Sequence, residues 1–161
     1  MLFVCTANVT RSPAAAAIFK NIVDKSGEDW EVASAGVKAI KGMMPNTLIK
    51  LLMDQRKISI ANHRARPVTK KLITRYCWIM VMESAHRDAI IKLDPSFAAK
   101  TFCLRSFAAF DPLTPSDFPD PTGKNLNDYD ELFYLLDREI PRVVEALRER
   151  VVHYEMGSEE E

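Results

Sequence analysis

Cysteine is scarce in this sequence. Of 161 residues only three are cysteine, namely Cys5, Cys77 and Cys103. An odd and widely spaced set argues against a disulfide framework. There is also no C-x-x-C pair to join the scattered histidines in a structural zinc site. We therefore expect free thiols in a reducing compartment, and neither a metal nor another cofactor.

The sequence also has no net charge. Lys plus Arg (22) equals Asp plus Glu (22), so no overall field draws the chain to nucleic acid or to a membrane surface. No apolar run approaches the ~18 residues of a membrane span, and the first residues do not resemble a secretory signal. We expect a cytoplasmic protein without nucleic-acid or membrane partners, in which a local site binds any anion.

Hydrophobic periodicity indicates the fold class. Short apolar or alternating runs predict strands at 2–4, 30–36, 76–82 and 101–104. Helical patterns predict helices at 14–23, 45–53, 69–73, 84–93 and 127–154. Strands that alternate with helices are typical of an α/β domain with a parallel sheet. We expect a single domain over 1–154 and an acidic tail at 155–161.

Residues 5–12 connect the first predicted strand to the first predicted helix. Ser12 is a candidate N-cap and Pro13 a candidate first helical residue. Ligands of open parallel sheets bind outside the carboxyl ends of the strands, and helix N-termini favour anions. The segment contains no glycine, which excludes the usual nucleotide-binding loops. The sequence therefore predicts an anion site of another kind.

Cys5 and Arg11 give this segment its chemistry. A cysteine among backbone N–H donors and near a guanidinium is favoured as thiolate. Arg11, six residues later, offers a two-pronged donor for phosphate oxygens, and the hydroxyl of Ser12 can donate to the sulfur. A bare C-x5-R spacing is common by chance, so a buried structural thiol remains the alternative. The position directly after a buried strand favours a nucleophile.

These residues resemble the low-molecular-weight protein tyrosine phosphatases, a family that includes bacterial protein arginine phosphatases. The shared motifs appear in chain order as Val4-Cys5-Thr6, Asn8, Arg11-Ser12-Pro13, Ser34-Ala35-Gly36, His63-Arg64-Ala65-Arg66, Met80-Val81-Met82-Glu83 and Asp120-Pro121. The resemblance implies a three-layer α/β fold with a central four-stranded parallel sheet flanked by helices. It also implies metal-free catalysis through a phosphocysteine intermediate.

The resemblance assigns roles to particular residues. Cys5 would be the nucleophile, Arg11 the phosphate ligand and Asp120 the general acid. Asp94 and Asp111 also precede proline, and Asp117 is the nearest rival; the family's acid lies just before the last helix, which favours Asp120. Asn8, Ser34 and His63 would hold the loop in shape. The expected substrate-binding residues are Thr6, Ala7, Asn8, Val9, Thr10, Ser12, Ile40 and Thr122.

The chain departs from the family pattern at four places. Ala7 replaces a glycine, which costs about 1 kcal/mol if φ is positive there. Thr10 replaces a cysteine that many relatives carry beside the arginine. Ile40 and Thr122 stand where relatives specific for phosphotyrosine usually place aromatic walls. Val9, by contrast, resembles the branched apolar residue of the tyrosine phosphatases.

Together these features predict a cysteine-dependent phosphatase of phosphomonoesters, with protein phosphotyrosine as substrate. The alternatives are a protein arginine phosphatase and a non-catalytic phosphate-binding module. A thioredoxin-coupled arsenate reductase would need two further cysteines close together, whereas Cys77 and Cys103 are 26 residues apart in predicted strands. The expected partners are a phosphorylated protein or a small phosphate ester, with the chain a monomer or weak dimer.

Overall fold

Four short strands form an all-parallel sheet in the computed structural model, which describes residues 1–111 and 113–157, with side chains through residue 151. The strands are β1 (Leu2–Cys5), β2 (Ala33–Gly36), β3 (Ile79–Val81) and β4 (Thr101–Cys103). Their order in the sheet is β2-β1-β3-β4. The predicted fold class is therefore confirmed.

Helices cover both faces of this sheet. They are α1 (Arg11–Lys25), α2 (Thr47–Gln55), α3 (Lys70–Thr74), α4 (Ser84–Leu93) and α5 (Leu126–Gly157), with a 3₁₀ turn at Pro95–Lys100. Phe3 of β1 packs in one core with α1, α2 and α5, whereas Leu2 and Val4 pack in the other with α3 and α4. This alternation of side chains along β1 produces the three layers.

The position of β1 determines where a site can form. Leu2 pairs with Ala33 of β2 on one side and with Ile79 of β3 on the other. The chain therefore leaves β1 at a point where the strand order reverses. Crevices outside the carboxyl ends of strands at such a switch point are the usual binding sites of open α/β sheets, and residues 5–12 lie there.

The predicted N-caps of α1 and α4 are wrong, although α4 begins at Ser84 as its helical pattern predicts. Thr10 rather than Ser12 is in the N-cap position of α1, and its side chain caps nothing; the hydroxyl of Ser12 instead faces the sulfur of Cys5. Ser84 does not cap α4 either. Its backbone N–H is satisfied from outside by the carboxylate of Asp117, at 2.8 Å, so the loop before α5 caps the helix after β3.

Two predicted strands are shorter than their apolar runs. The run 30–36 forms a strand only from Ala33, because Trp30 packs edge-on against Phe19 of α1 at 5.5 Å between ring centroids. The run 76–82 pairs only over Ile79–Val81. Cys77 is consequently exposed and outside the sheet, which corrects its predicted place in a strand.

The last helix is longer than the sequence pattern predicts. It continues to Gly157 instead of ending near 154, so the expected acidic tail at 155–161 begins within it; residues 158–161 lie outside the described residues. Within the described ranges, no helix combines the length and the apolar character needed to cross a membrane.

Candidate active site

The loop between β1 and α1 turns sharply at one residue. Asn8 has a φ of 58°, in the left-handed region that asparagine tolerates better than most residues. Ala7 is not among the described residues with positive φ. The strain expected at Ala7 therefore does not arise, since the left-handed turn falls one residue later.

Gly36 allows this loop to lie against the end of β2. A Cβ atom at Gly36 would lie 2.5 Å from the carbonyl oxygen of Thr6 and 2.9 Å from the backbone nitrogen of Asn8. Both neighbours are backbone atoms, which cannot rotate away. Only glycine fits this close approach.

Asn8 is bonded on all sides. Its Nδ2 donates to the hydroxyls of Ser12 and Ser34, each at 2.9 Å, and its Oδ1 accepts from the backbone N–H of Arg66 at 3.0 Å. His63 Nε2 donates to its carbonyl oxygen at 2.7 Å. The structure thus brings Asn8, Ser34 and His63 together around the loop, and fixes the left-handed turn from both ends.

The sulfur of Cys5 is buried at the start of this loop, with only 3% of the residue exposed. The backbone N–H of Asn8 donates to Sγ at 3.3 Å, and Ser12 Oγ lies 3.0 Å away. These contacts hold the sulfur in place at the start of the loop. Cys5 therefore has the surroundings of a nucleophile.

Arg11 is the largest fully buried side chain of the described chain. One terminal nitrogen donates to the carboxylate of Glu83 and to the carbonyl of Phe118, the latter at 3.0 Å. The other donates to Asp120 Oδ2 at 2.7 Å and lies 3.4 Å from Thr6 Oγ1. A buried charge is tolerated only when it is paired and hydrogen-bonded in this way, and the contacts fix the guanidinium before any ligand arrives.

A small cavity opens over Cys5 and Arg11. It is lined by Cys5, Ala7, Val9, Thr10, Arg11, Asp120 and Thr122. Thr6, Asn8 and Ser12 contact the lining residues from behind. Ile40 is 68% exposed and is not among the lining residues, so its expected place in the wall is not found.

Of the four aspartates considered from the sequence, only Asp120 lines the cavity. Asp94 bonds Ser96 at the 3₁₀ turn, Asp111 bonds the N–H of Leu113, and Asp117 caps α4. Burial raises the pKa of Asp120, but hydrogen bonds from Thr122 and the charge of Arg11 outweigh it and lower the pKa. Asp120 is therefore an ionised partner of Arg11.

Two residues of the site were missed by sequence reasoning. Glu83 holds Arg11, and His86 Nε2 lies 2.8 Å from Thr6 Oγ1. His86 Nδ1 is buried without a partner in the described ranges, which favours the tautomer whose Nε2–H donates to Thr6. Burial lowers the pKa of His86; the charge of Glu83 opposes this shift and that of Arg11 adds to it. Glu83, a charged residue two positions after the end of β3, was the available signal.

The three cysteines are all free, and Cys77 and Cys103 lie outside the cavity. In the part of the chain that the structure describes, no three His, Cys, Asp or Glu side chains are grouped to hold a metal ion. The chemistry available at this site is therefore that of a thiol, a guanidinium and a carboxyl group.

Known proteins share this chain's sequence and fold. Residues 1–153 match the family model described as low molecular weight phosphotyrosine protein phosphatase. The chain is 37% identical over 142 residues to a protein-arginine-phosphatase of Geobacillus stearothermophilus, covering 86% of this chain and 91% of that protein. It is 29% identical to the low molecular weight protein-tyrosine-phosphatase Wzb of Salmonella typhi, covering 91% and 93%.

Solved structures agree with this match. The low molecular weight protein tyrosine phosphatase from T. tengcongensis superimposes with a TM-score of 0.82 at 30% identity, covering 90% of this chain and 97% of that one. The arginine phosphatase YwlE from Geobacillus stearothermophilus gives 0.75 at 34% identity, covering 92% and 94%. With a family match over nearly the whole length and a common fold, this chain belongs to the low molecular weight phosphotyrosine protein phosphatase family.

Proposed function

We propose that this chain is a cysteine-dependent protein phosphatase that hydrolyses phosphotyrosine through a phosphocysteine intermediate. The observation that carries the proposal is one cavity lined by Cys5, Arg11 and Asp120. These supply a nucleophile, an anion ligand and a proton donor. Family membership supports the same reaction class.

Substrate binding begins as an exchange at Arg11. The phosphate oxygens take the place of Asp120 on the guanidinium, while Glu83 and the Phe118 carbonyl keep the other nitrogen fixed. Backbone N–H groups of the loop and the N-terminus of α1 add further donors. Asp120, now beside a dianion instead of a cation, becomes easier to protonate.

In the first chemical step the thiolate of Cys5 attacks phosphorus and forms the S–P bond. The bond from phosphorus to the leaving oxygen breaks, and Asp120 gives its proton to that oxygen. In the second step Asp120 accepts a proton from water, whose oxygen attacks phosphorus. The S–P bond breaks, and the hydroxyl of Ser12, 3.0 Å from Sγ, stabilises the departing thiolate.

Phosphoarginine is the second candidate substrate. The 37% identity to a protein-arginine-phosphatase favours it. Against it, Val9 in the cavity wall is branched and apolar, as in the tyrosine phosphatases. The sparse walls around Thr122 permit either substrate, so the choice rests on a direct comparison of peptides.

The test is hydrolysis of matched phosphotyrosine and phosphoarginine peptides by the wild-type chain and by Cys5→Ser. We expect turnover of the phosphotyrosine peptide, inhibition by vanadate, and loss of turnover in Cys5→Ser. Cys77→Ser, at an exposed cysteine outside the cavity, is the matched control and should keep its activity. Turnover by Cys5→Ser would refute the thiol mechanism. A tenfold higher kcat/KM for phosphoarginine would assign the arginine substrate, and no hydrolysis of either would favour a binding module.

The proposed compartment is the cytoplasm. A catalytic thiol works only when it is reduced, and reducing conditions prevail there. The three free cysteines of the described chain are compatible with it. Phosphorylated proteins are the proposed partners, and a monomer or weak dimer remains the prediction for the assembly.

A further inference from the structure

A second cavity, of about 490 Å³, shares no lining residue with the catalytic one. Its walls come from α1, from the start of β2 and from residues 59–66. Its apolar lining residues are Pro13, Ala16, Ala17, Val32, Ala33 and Ile60. Its charged lining residues are Lys20, Arg64 and Arg66, and none of the described lining residues is acidic.

The two arginines of this cavity lack acidic partners among the described residues. Arg64 donates only to nearby carbonyls, at 3.1 Å to Ala61 and 2.7 Å to His63, and Arg66 Nε donates to the carbonyl of Ser34 at 2.9 Å. Over the described ranges, neither guanidinium has a carboxylate within salt-bridge distance. Lys20, by contrast, pairs with Asp24 at 2.6 Å. The positive potential of the arginines is therefore available to an anion from solution.

Three residues that line this cavity also hold the catalytic loop. His63, Ser34 and the backbone of Arg66 each bond Asn8, and the N–H of Asn8 donates to Cys5 Sγ. Asn8 thus connects the lining residues of this cavity to the sulfur of Cys5 through hydrogen bonds. Burial lowers the pKa of His63, the bond to Asn8 opposes this, and the two guanidinium charges lower it further.

We propose that this second cavity binds a phosphorylated small organic molecule, and that Asn8 couples its binding to the catalytic loop. Two guanidinium groups suit the oxygens of a phosphate, and the apolar lining residues suit a short organic portion. A bound anion offsets the charge of Arg64 and Arg66 near His63. Protonation of His63 is then favoured, and its bond to the Asn8 carbonyl is strengthened.

The test is calorimetric titration of a protein whose catalytic cavity is blocked. In a Cys77→Ser background, iodoacetamide alkylates Cys5, which lines the catalytic cavity, whereas burial raises the pKa of the Cys103 thiol and disfavours its reactive thiolate form. The probes are butylphosphonate and inorganic phosphate. We expect one saturable site that binds butylphosphonate at least threefold more tightly than phosphate, with an affinity that falls as salt is added.

Variants connect this binding to the cavity. Arg64→Gln with Arg66→Gln should weaken butylphosphonate binding at least tenfold, and Arg64→Gln alone, which leaves the Arg66–Ser34 bond intact, at least threefold. Arg75→Gln removes an exposed arginine outside the cavity and should leave the affinity unchanged. Absence of saturable binding, or undiminished binding by the double variant with an unchanged Tm, would overturn the site. Equal binding of phosphate would overturn the organic ligand class.

The coupling has its own readout. In amide NMR spectra of the alkylated protein, butylphosphonate should shift the resonances of Cys5 and Asn8 but not that of Thr122, which lies across the catalytic cavity. Unmoved Asn8 and Cys5 resonances at saturation would refute the coupling. Since the alkylated protein does not turn over, these results are independent of the proposed hydrolysis.

Discussion

At the scale of single residues, Asp120 has two functions. One substitution removes both, and two different kinetic constants report on them. Asp120 is the proposed proton donor, and its carboxylate accepts a hydrogen bond from the guanidinium of Arg11. Asp120→Asn keeps the size of the side chain but removes both its proton and its charge. We expect kcat for a phosphotyrosine peptide to fall by about 10²–10⁴-fold, while the inhibition constant of free phosphate stays equal or decreases because an internal competitor is gone.

Steady-state kinetics with phosphate as inhibitor measure both quantities. Asp117→Asn is the control, because Asp117 bonds Ser84 at the start of α4 and does not line the cavity. Asp117→Asn should keep kcat near the wild-type value. Wild-type kcat in Asp120→Asn would exclude Asp120 as the acid.

Thr10 determines how the site responds to oxidation. It is 3% exposed and lines the cavity with Cys5, in the position where many relatives have a second cysteine. A sulfenic acid on Cys5 lacks a neighbouring thiol to trap it as a disulfide, so oxidation proceeds to sulfinic acid. We expect prolonged peroxide treatment to abolish activity, with little recovery in dithiothreitol.

Thr10→Cys is the matched variant for this prediction. After the same exposure to peroxide, dithiothreitol should recover most of the activity of Thr10→Cys, because the new thiol traps Cys5 as a disulfide. Mass spectrometry of the Cys5 peptide distinguishes sulfinic acid from a disulfide. Full recovery of the wild-type chain after long exposure would contradict the prediction.

At the scale of elements, the end of β2 and the loop after β1 depend on Gly36. Gly36→Ala would place a Cβ atom against two backbone atoms, at 2.5 and 2.9 Å. Overpacking of this kind typically costs about 1–3 kcal/mol, and here the displaced atoms belong to Thr6 and Asn8. We expect a lower Tm together with a large loss of kcat/KM.

Gly27→Ala separates stability from activity. Gly27 has a φ of 74° after α1, and no atom lies near its absent Cβ. Strain there costs about 1–2 kcal/mol but does not reach the loop, so Tm should fall while kcat/KM stays normal. Gly36→Ala with wild-type kcat/KM would show that the close approach is dispensable.

The order of the elements could be predicted from the sequence, but their ends could not. Apolar or alternating runs predicted every strand, because strands of a covered parallel sheet bury most of their side chains. The same runs extend beyond the paired residues, and the side chains of Trp30 and Trp78 pack there against other aromatic rings. Ser12 has the chemistry of an N-cap, yet a tertiary contact with Cys5 takes its hydroxyl.

At the scale of the whole molecule, buried histidines make stability depend on pH. Both His63 and His86 have pKa values lowered from 6.5, with burial as the largest cause. Below pH 6.5 the unfolded chain binds these protons more readily than the folded chain does, so stability falls as the pH decreases through that range.

Carboxylates make stability depend on pH in a lower range. Glu28, Asp94, Asp117 and Asp120 have lowered pKa values, so their contribution is present above their ordinary 3.8–4.5 and is lost below it.

We therefore expect Tm to decline in two stages between pH 8 and pH 3. The first begins near pH 8, because burial lowers the pKa of the Met1 amino group to about 6, and continues through the range of the histidines; the second begins below about pH 4.5. Each 1 kcal/mol corresponds to roughly 2–4 °C in a chain of this size. Scanning calorimetry measures the profile. His86→Asn should flatten the first stage, and a wild-type Tm that is constant from pH 7 to pH 5 would contradict it.

The contacts of Glu83 and His86 behind the catalytic loop could not be predicted because they depend on the strand order. Glu83 reaches Arg11 across 72 positions of sequence because β3 lies beside β1, and nothing in either segment specifies that neighbour. His86 follows from the same placement. The resemblance included Glu83 in a motif without giving it a role, whereas the close approach at Gly36 is a property of packed backbone alone.

The pairing of Arg11 with Asp120 has a consequence for the turnover cycle. The guanidinium is 2% exposed and pairs with two carboxylates, those of Glu83 and Asp120. In the proposed mechanism substrate, phosphoenzyme and phosphate each replace that second carboxylate in turn. In this cycle the buried guanidinium is paired with an anion at each step. When phosphate leaves, the carboxylate of Asp120 replaces it at Arg11. The carboxylate of Asp120 thus acts as an internal competitor of phosphate at Arg11, and this competition weakens the binding of the product.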